Sequence, residues 1–105
     1  MVRYGAPAVA VVLLGSAAFA ATDRVVSQKG KAFGPMAIAV KAGETLQIAN
    51  DDDIVHHVFI NSDAISFDSG HQSKGETVAI RFTRIGNYEV RCAIHPKMKL
   101  AVTVN

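Results

Sequence analysis

The chain has a single cysteine in 105 residues, Cys92. An intramolecular disulfide is therefore excluded as a staple. Charge of one sign is also scarce. Eleven Lys and Arg stand against nine Asp and Glu. No basic stripe is available to neutralise phosphates, which argues against a nucleic-acid partner. Beyond the N-terminus no window sustains a helical period over three turns, so helices are not expected. There is no internal repeat, no low-complexity tract and no second domain. No carboxylate pair or serine nucleophile stands out, and an enzyme is not expected.

The first 24 residues, "MVRYGAPAVAVVLLGSAAFAATDR", follow a different logic. Arg3 makes a short positive start, Ala6 to Ala18 is almost wholly small and aliphatic, and Ala18-Phe19-Ala20 is a small-x-small site. This pattern predicts a secretory signal over residues 1–20, cleaved after Ala20. The apolar run is shorter than the roughly 20 residues a spanning helix needs, so no membrane span is expected after cleavage. No twin-arginine pair is present, which predicts export unfolded, to the periplasm or an equivalent exported destination. Without Arg3, ten basic side chains remain against nine acidic ones. Residues 21–105 then form one small domain. Small exported domains often rely on a disulfide or a metal, and here only the metal is left.

Short alternating runs broken by turn residues fill that domain. "RVVSQ" reads as a first strand and "KGKAFGPM" as a loop. "AIAV" puts Ile38 and Val40 on one face, "KAGE" is a turn, and "TLQIAN" points Leu46 and Ile48 inward. "DDDIV" is an acidic loop, with Asp51 to Asp53 expected in a solvated turn, and "HHVFI" is a strand. "NSDAISFDSGHQSKG" is a long polar loop holding His71, expected in solvent. "ETVAIRF" alternates Val78, Ile80 and Phe82, "YEVRC" alternates Tyr88, Val90 and Cys92, and "MKLAVTV" alternates Leu100, Val102 and Val104. Met36 is expected to pack on the core. Strands this short and closely spaced predict an all-β sandwich or barrel. Alternation also turns the Cys92 sulfur into the end of the core.

The chemistry concentrates in "CAIHPKM", residues 92–98. Thiolate, imidazole and thioether are soft or borderline metal ligands, gathered here at a strand end and in the loop after it. A mononuclear site needs a further ligand, and the candidates are His56, His57 and His71. Two imidazoles, a thiolate and a weak thioether suit copper in a blue-copper electron-transfer site. Zinc prefers four strong ligands, and calcium or magnesium would want oxygens that this loop lacks.

From about Phe33 to Val104 the sequence resembles the cupredoxins, within them the plastocyanin- and amicyanin-like group. The stretches "AIAVKAGETLQIAND", "NDDDIVHHVFI" and "GNYEVRCAIHPKM" carry the likeness. The Cys-x-x-His-x-x-Met spacing is similar to the short ligand loop of amicyanins. The resemblance implies a Greek-key β-sandwich of about seven short strands. It implies one type 1 copper ion held by His56, Cys92, His95 and Met98. Alternation agrees with His56 over His57, since Val58 and Ile60 then share its side of the strand. His57 stands where the family usually has an asparagine that ties the two ligand loops. The side-chain tie must therefore differ, while the peptide can still donate to the cysteine sulfur.

By the same resemblance the protein is a monomer that shuttles single electrons between a redox-protein donor and acceptor. His95 would be the exit for electrons, with Ile94, Pro96 and Pro35 as an apolar patch around it. Lys97 and Lys99 would bias docking towards an acidic partner. The competing reading is an exported copper carrier, for which His57 is the argument, because an altered surround would loosen the site. An apo interaction module is a third reading, and the full ligand set speaks against it.

Overall fold

The computed structural model describes residues 24–105. The predicted signal, residues 1–20, lies outside them. The described residues form nine strands and no helix. They are β1 (Arg24–Gln28), β2 (Phe33–Gly34), β3 (Ala37–Val40), β4 (Thr45–Asn50), β5 (Val58–Asn61), β6 (Ser66–Asp68), β7 (Thr77–Arg81), β8 (Gly86–Cys92) and β9 (Lys99–Val104). One sheet runs β2-β1-β4-β7 and the other β3-β9-β8-β5-β6. β1 pairs with β4, and β3 with β9, in parallel; the remaining pairs are antiparallel. No helix of the described residues is long and apolar enough to cross a membrane.

The period-two runs form the two inner faces. Leu46 and Ile48 of β4, Ile80 of β7, Tyr88, Val90 and Cys92 of β8, and Leu100, Val102 and Val104 of β9 are all buried in one cluster. Phe82 and Val40 join it, and Ile38 and Val78 pack against it half-buried. Each of these positions was expected to face inward. Alternation is enough here because each sheet has one face to bury.

The "KAGE" stretch turns as expected. The N–H of Glu44 donates to the carbonyl of Lys41 at 2.9 Å, and Gly43 takes φ +96°. That angle at the third residue is the type II requirement, which glycine meets without strain. Tyr88 closes the other end of its strand, donating its hydroxyl to the carbonyl of Arg84 at 2.8 Å. Tyr88→Phe is expected to cost about 1 kcal/mol, read as a lower denaturation midpoint in urea.

Three expectations need correction. The described residues form nine strands rather than about seven, because β2 and β6 arise inside stretches read as loops. Each is two or three residues long and exists through its pairing with β1 or β5, so no local alternation announces it. Met36 does not pack on the core but is 69% exposed. It precedes the first β3–β9 pair, at the edge of its sheet, where no further strand of the described residues covers it. The strand after the acidic loop begins at Val58, not at His56. His56 is held instead by an isolated bridge to Gln72, with backbone bonds of 3.0 and 2.7 Å.

Candidate metal centre

Cys92 is the last residue of β8, paired with Val58 at the start of β5. Its sulfur is buried, and the thiol is free. His56 approaches from the segment before β5 and is fully buried. His95 comes from the turn after β8, which closes with the N–H of Met98 donating to the carbonyl of His95 at 3.0 Å. Nδ1 of His56 and Nδ1 of His95 each stand 3.6 Å from the Cys92 sulfur. All three donor atoms lie within 4.8 Å of one another. Met98 is buried at the far end of the loop, and it flanks His95 in the groove beside it.

The donor set fits one metal ion. An ion about 2.0 Å from nitrogen and about 2.3 Å from sulfur, in a trigonal plane, spaces them roughly 3.7 Å apart. The observed 3.6 Å separations match that spacing. Thiolate plus two imidazoles in this arrangement, with a buried thioether nearby, favours copper.

The surroundings hold these donors still. The N–H of His57 donates to the Cys92 sulfur at 3.4 Å, and the carbonyl of His57 accepts from Ala93 at 2.8 Å. The peptide contribution expected at this position is therefore present. The His57 side chain turns outward to Asp68 instead, at 2.6 Å. Across the loop, Arg91 donates through Nη2 to the carbonyl of Pro96 at 3.0 Å.

Asp52 is the residue that sequence reasoning missed. It was expected in a solvated turn, yet its Oδ2 sits 2.8 Å from Nε2 of His56. A carboxylate there accepts a hydrogen bond from Nε2–H and leaves Nδ1 as the ligand atom. Asp52 is itself cradled. The N–H groups of Gly30 and Lys31 donate to its two oxygens at 2.7 and 3.0 Å. Both residues have positive φ, +63° and +58°, in the two-residue turn joining β1 to β2. That is the type I′ requirement of a tight hairpin, and it aims two successive amides at one carboxylate. The signal available in the sequence was a carboxylate four residues before the histidine.

Partial burial pushes the Asp52 carboxyl up, but the Lys31 amide, His56 and the Gly30 amide outweigh it and bring it from 3.8 down to about 2. A lowered value stabilises the fold fully above about pH 4 and loses that contribution as pH falls towards about 2. For His95, burial and then the neighbouring His56 and Lys31 hold the imidazole below its ordinary value. It is thus neutral and able to ligate at neutral pH. Asp52→Asn is expected to weaken copper binding about 10- to 100-fold, measured by competition with a chelator. The same variant should flatten the acid limb of stability between about pH 4 and 2.

Beneath His56 lies a buried polar frame. Asn50 donates through Nδ2 to the carbonyls of Ile54 and Gln72, both at 2.9 Å. Its Oδ1 accepts from the Asp52 amide at 2.9 Å. Gln72 donates to the carbonyls of Ile48 and Glu76 and accepts from Gln28 at 2.7 Å. These bonds fix both ends of the acidic loop, so His56 is delivered from a rigid segment.

At the surface, His95 borders a shallow apolar groove of about 350 Å³, lined also by Lys31, Ile94, Pro96, Lys97 and Met98. Pro35, expected in this patch, is not among its lining residues; Lys31 is. His71 is exposed, as expected, and takes no part in the cluster.

A two-sheet sandwich with one cysteine and two histidines converging at its end defines a copper-binding protein of the cupredoxin type. The model of the copper-binding plastocyanin/azurin family matches residues 20–105, and the chain belongs to that family. It is 36% identical to plastocyanin of Ulva arasakii over 84 residues, covering 70% of this chain and 86% of that one. Its fold is similar to that of an amicyanin variant solved with Cu(I), at a TM-score of 0.73 and 22% identity, covering 78% and 81% of the two chains. It is also similar to part of a copper-containing nitrite reductase from Thermus scotoductus, at a TM-score of 0.73 and 26% identity. That match covers 80% of this chain but only 22% of the reductase.

Proposed function

We propose that the protein is a small type 1 copper protein that passes single electrons between redox proteins, with His56, Cys92, His95 and Met98 as the ligands. The convergence of three donor atoms within 4.8 Å, with His56 and Cys92 buried and His95 half-buried, carries this reading. Copper supplies a one-electron couple when bound there.

The protein's own residues do the rest. Cys92 and His56 are anchored by strand pairing and by the Gln72 bridge, so the donor positions change little whatever the charge of the ion. Asp52 fixes the tautomer and the angle of the His56 ring. The amide of His57 stabilises negative charge on the Cys92 sulfur. His56, Cys92 and Met98 are each at most 2% exposed. Only His95 among the four reaches towards solvent. With three of the four ligands buried, a reactant could reach the ion only past His95, whereas an electron needs only close approach. This supports a carrier of electrons rather than an enzyme.

The groove beside His95 suits that approach, with apolar contact from Ile94 and Pro96 and positive charge from Lys31 and Lys97. We read its partners as proteins with an acidic docking face, since complementary charge raises the association rate. Residues 1–20 read as an export signal, and relatives include a plastocyanin described as chloroplastic. The copper-carrier alternative drew on His57, yet the peptide of that residue keeps both of its bonds to the Cys92 segment. The test is the rate of electron self-exchange in the copper-loaded protein, set against transfer of Cu(I) to a chelator. Rapid exchange with slow metal loss is expected. Slow exchange with ready copper release would overturn the proposal in favour of the carrier.

A further inference from the structure

A second cluster of metal-ligating side chains lies on the outer face, and the copper reading does not use it. His57 and His71 flank the isolated His56–Gln72 bridge, one on each of the bridged segments. Residues next to a bridge point away from the bridged pair. His56 and Gln72 therefore go inward, where both are buried, and His57 and His71 go outward. The rings of His57 and His71 stand edge to face with centroids 5.8 Å apart. Asp68, the last residue of β6, pairs with Phe59 and so falls beside His57. Its Oδ1 accepts from both Nε2 of His57, at 2.6 Å, and the amide of Gly70, at 2.8 Å. Its Oδ2 has no protein donor among the described residues.

We propose that His57, Asp68 and His71 form a second, solvent-exposed site for a borderline divalent cation such as Zn²⁺ or Cu²⁺. Two imidazoles and a carboxylate are the donors such ions select, with water completing the coordination. The rings are somewhat farther apart than the 5.0 Å between His56 and His95. Binding would therefore draw in the exposed His71 side chain by a rotation, next to Gly70 at φ +66°. The Asp68 oxygen then exchanges a hydrogen bond for a bond to the cation, at little cost because Asp68 is 67% exposed.

The site shares the His57 backbone with the copper centre but none of its ligand atoms, and the experiment keeps the two apart. The full chain is equilibrated with Zn²⁺ alone, and stoichiometry and affinity are measured by calorimetry in the unmodified protein and in His71→Ala, Asp68→Asn and Cys92→Ser. The expected result is one zinc equivalent that weakens about tenfold or more in His71→Ala and in Asp68→Asn and persists in Cys92→Ser. Zinc binding indifferent to His71 and Asp68 would overturn the proposal and leave the His57–Asp68 contact as an ordinary surface ion pair. Loss of every zinc equivalent in Cys92→Ser would overturn it equally. The exposed position of His71 keeps folding out of the comparison, and an unchanged urea midpoint in His71→Ala verifies that. The copper reading fails on a different observation, the absence of a blue band.

Discussion

Cys92→Ser abolishes the intense visible absorption expected of the Cu(II)-loaded protein and lowers Cu(II) affinity by about 100-fold or more. The band belongs to charge transfer from a thiolate, and Cys92 is the only sulfur of that kind in the chain. Serine at this position offers a hydroxyl that stays protonated at neutral pH and is a hard, weak donor for copper. The two imidazoles at 3.6 Å from the sulfur would remain, so residual binding without colour is the expected outcome. Adding Cu(II) in steps while recording the visible spectrum measures both quantities. A band that saturates at one equivalent in the unmodified protein and is missing in the variant supports the ligand assignment. An intense band surviving in Cys92→Ser would sink it.

The second large effect is on stability. Phe82→Ala is expected to cost about 3–5 kcal/mol, the range for deleting a fully buried aromatic ring. Phe82 is 0% exposed and lies 5.6 Å, centroid to centroid, from Tyr88. Its backbone ties β7 to the turn before β4, through bonds to Gly43 and Glu44 of 2.6 and 3.1 Å. Relaxation into the cavity is therefore limited. Small domains are stable by only about 5–15 kcal/mol, so a large part of the total would go. The effect should not reach the metal centre. Phe82 sits beside Glu44, whereas the centre lies beyond Asn50 at the other end of β4. Denaturation of the metal-free protein should show a lower midpoint, while the copper spectrum of the folded variant stays as before. A loss under about 1 kcal/mol would show that the core collapses round the gap.

Local sequence alone set which face of each main strand is buried. Period-two alternation is a local property, and every inward position named from it is buried or half-buried. It also determined the grouping of Cys92, His95 and Met98, because a seven-residue loop at a strand end cannot carry its side chains far apart. His56 was reachable by the same alternation. Tertiary structure decided what separated segments do to one another. Asp52 became a partner of His56 only because the turn at Gly30 and Lys31, some 20 residues earlier, points two amides at it. Gln28 and Gln72 look like ordinary polar residues in sequence, yet they are buried and bonded across 44 positions. The strands β2 and β6, the exposure of Met36 and the meeting of His57, Asp68 and His71 likewise depend on which strands become neighbours. Alternation tells a residue which way to face, but contacts between distant segments are set by strand order and register, and a local pattern carries neither.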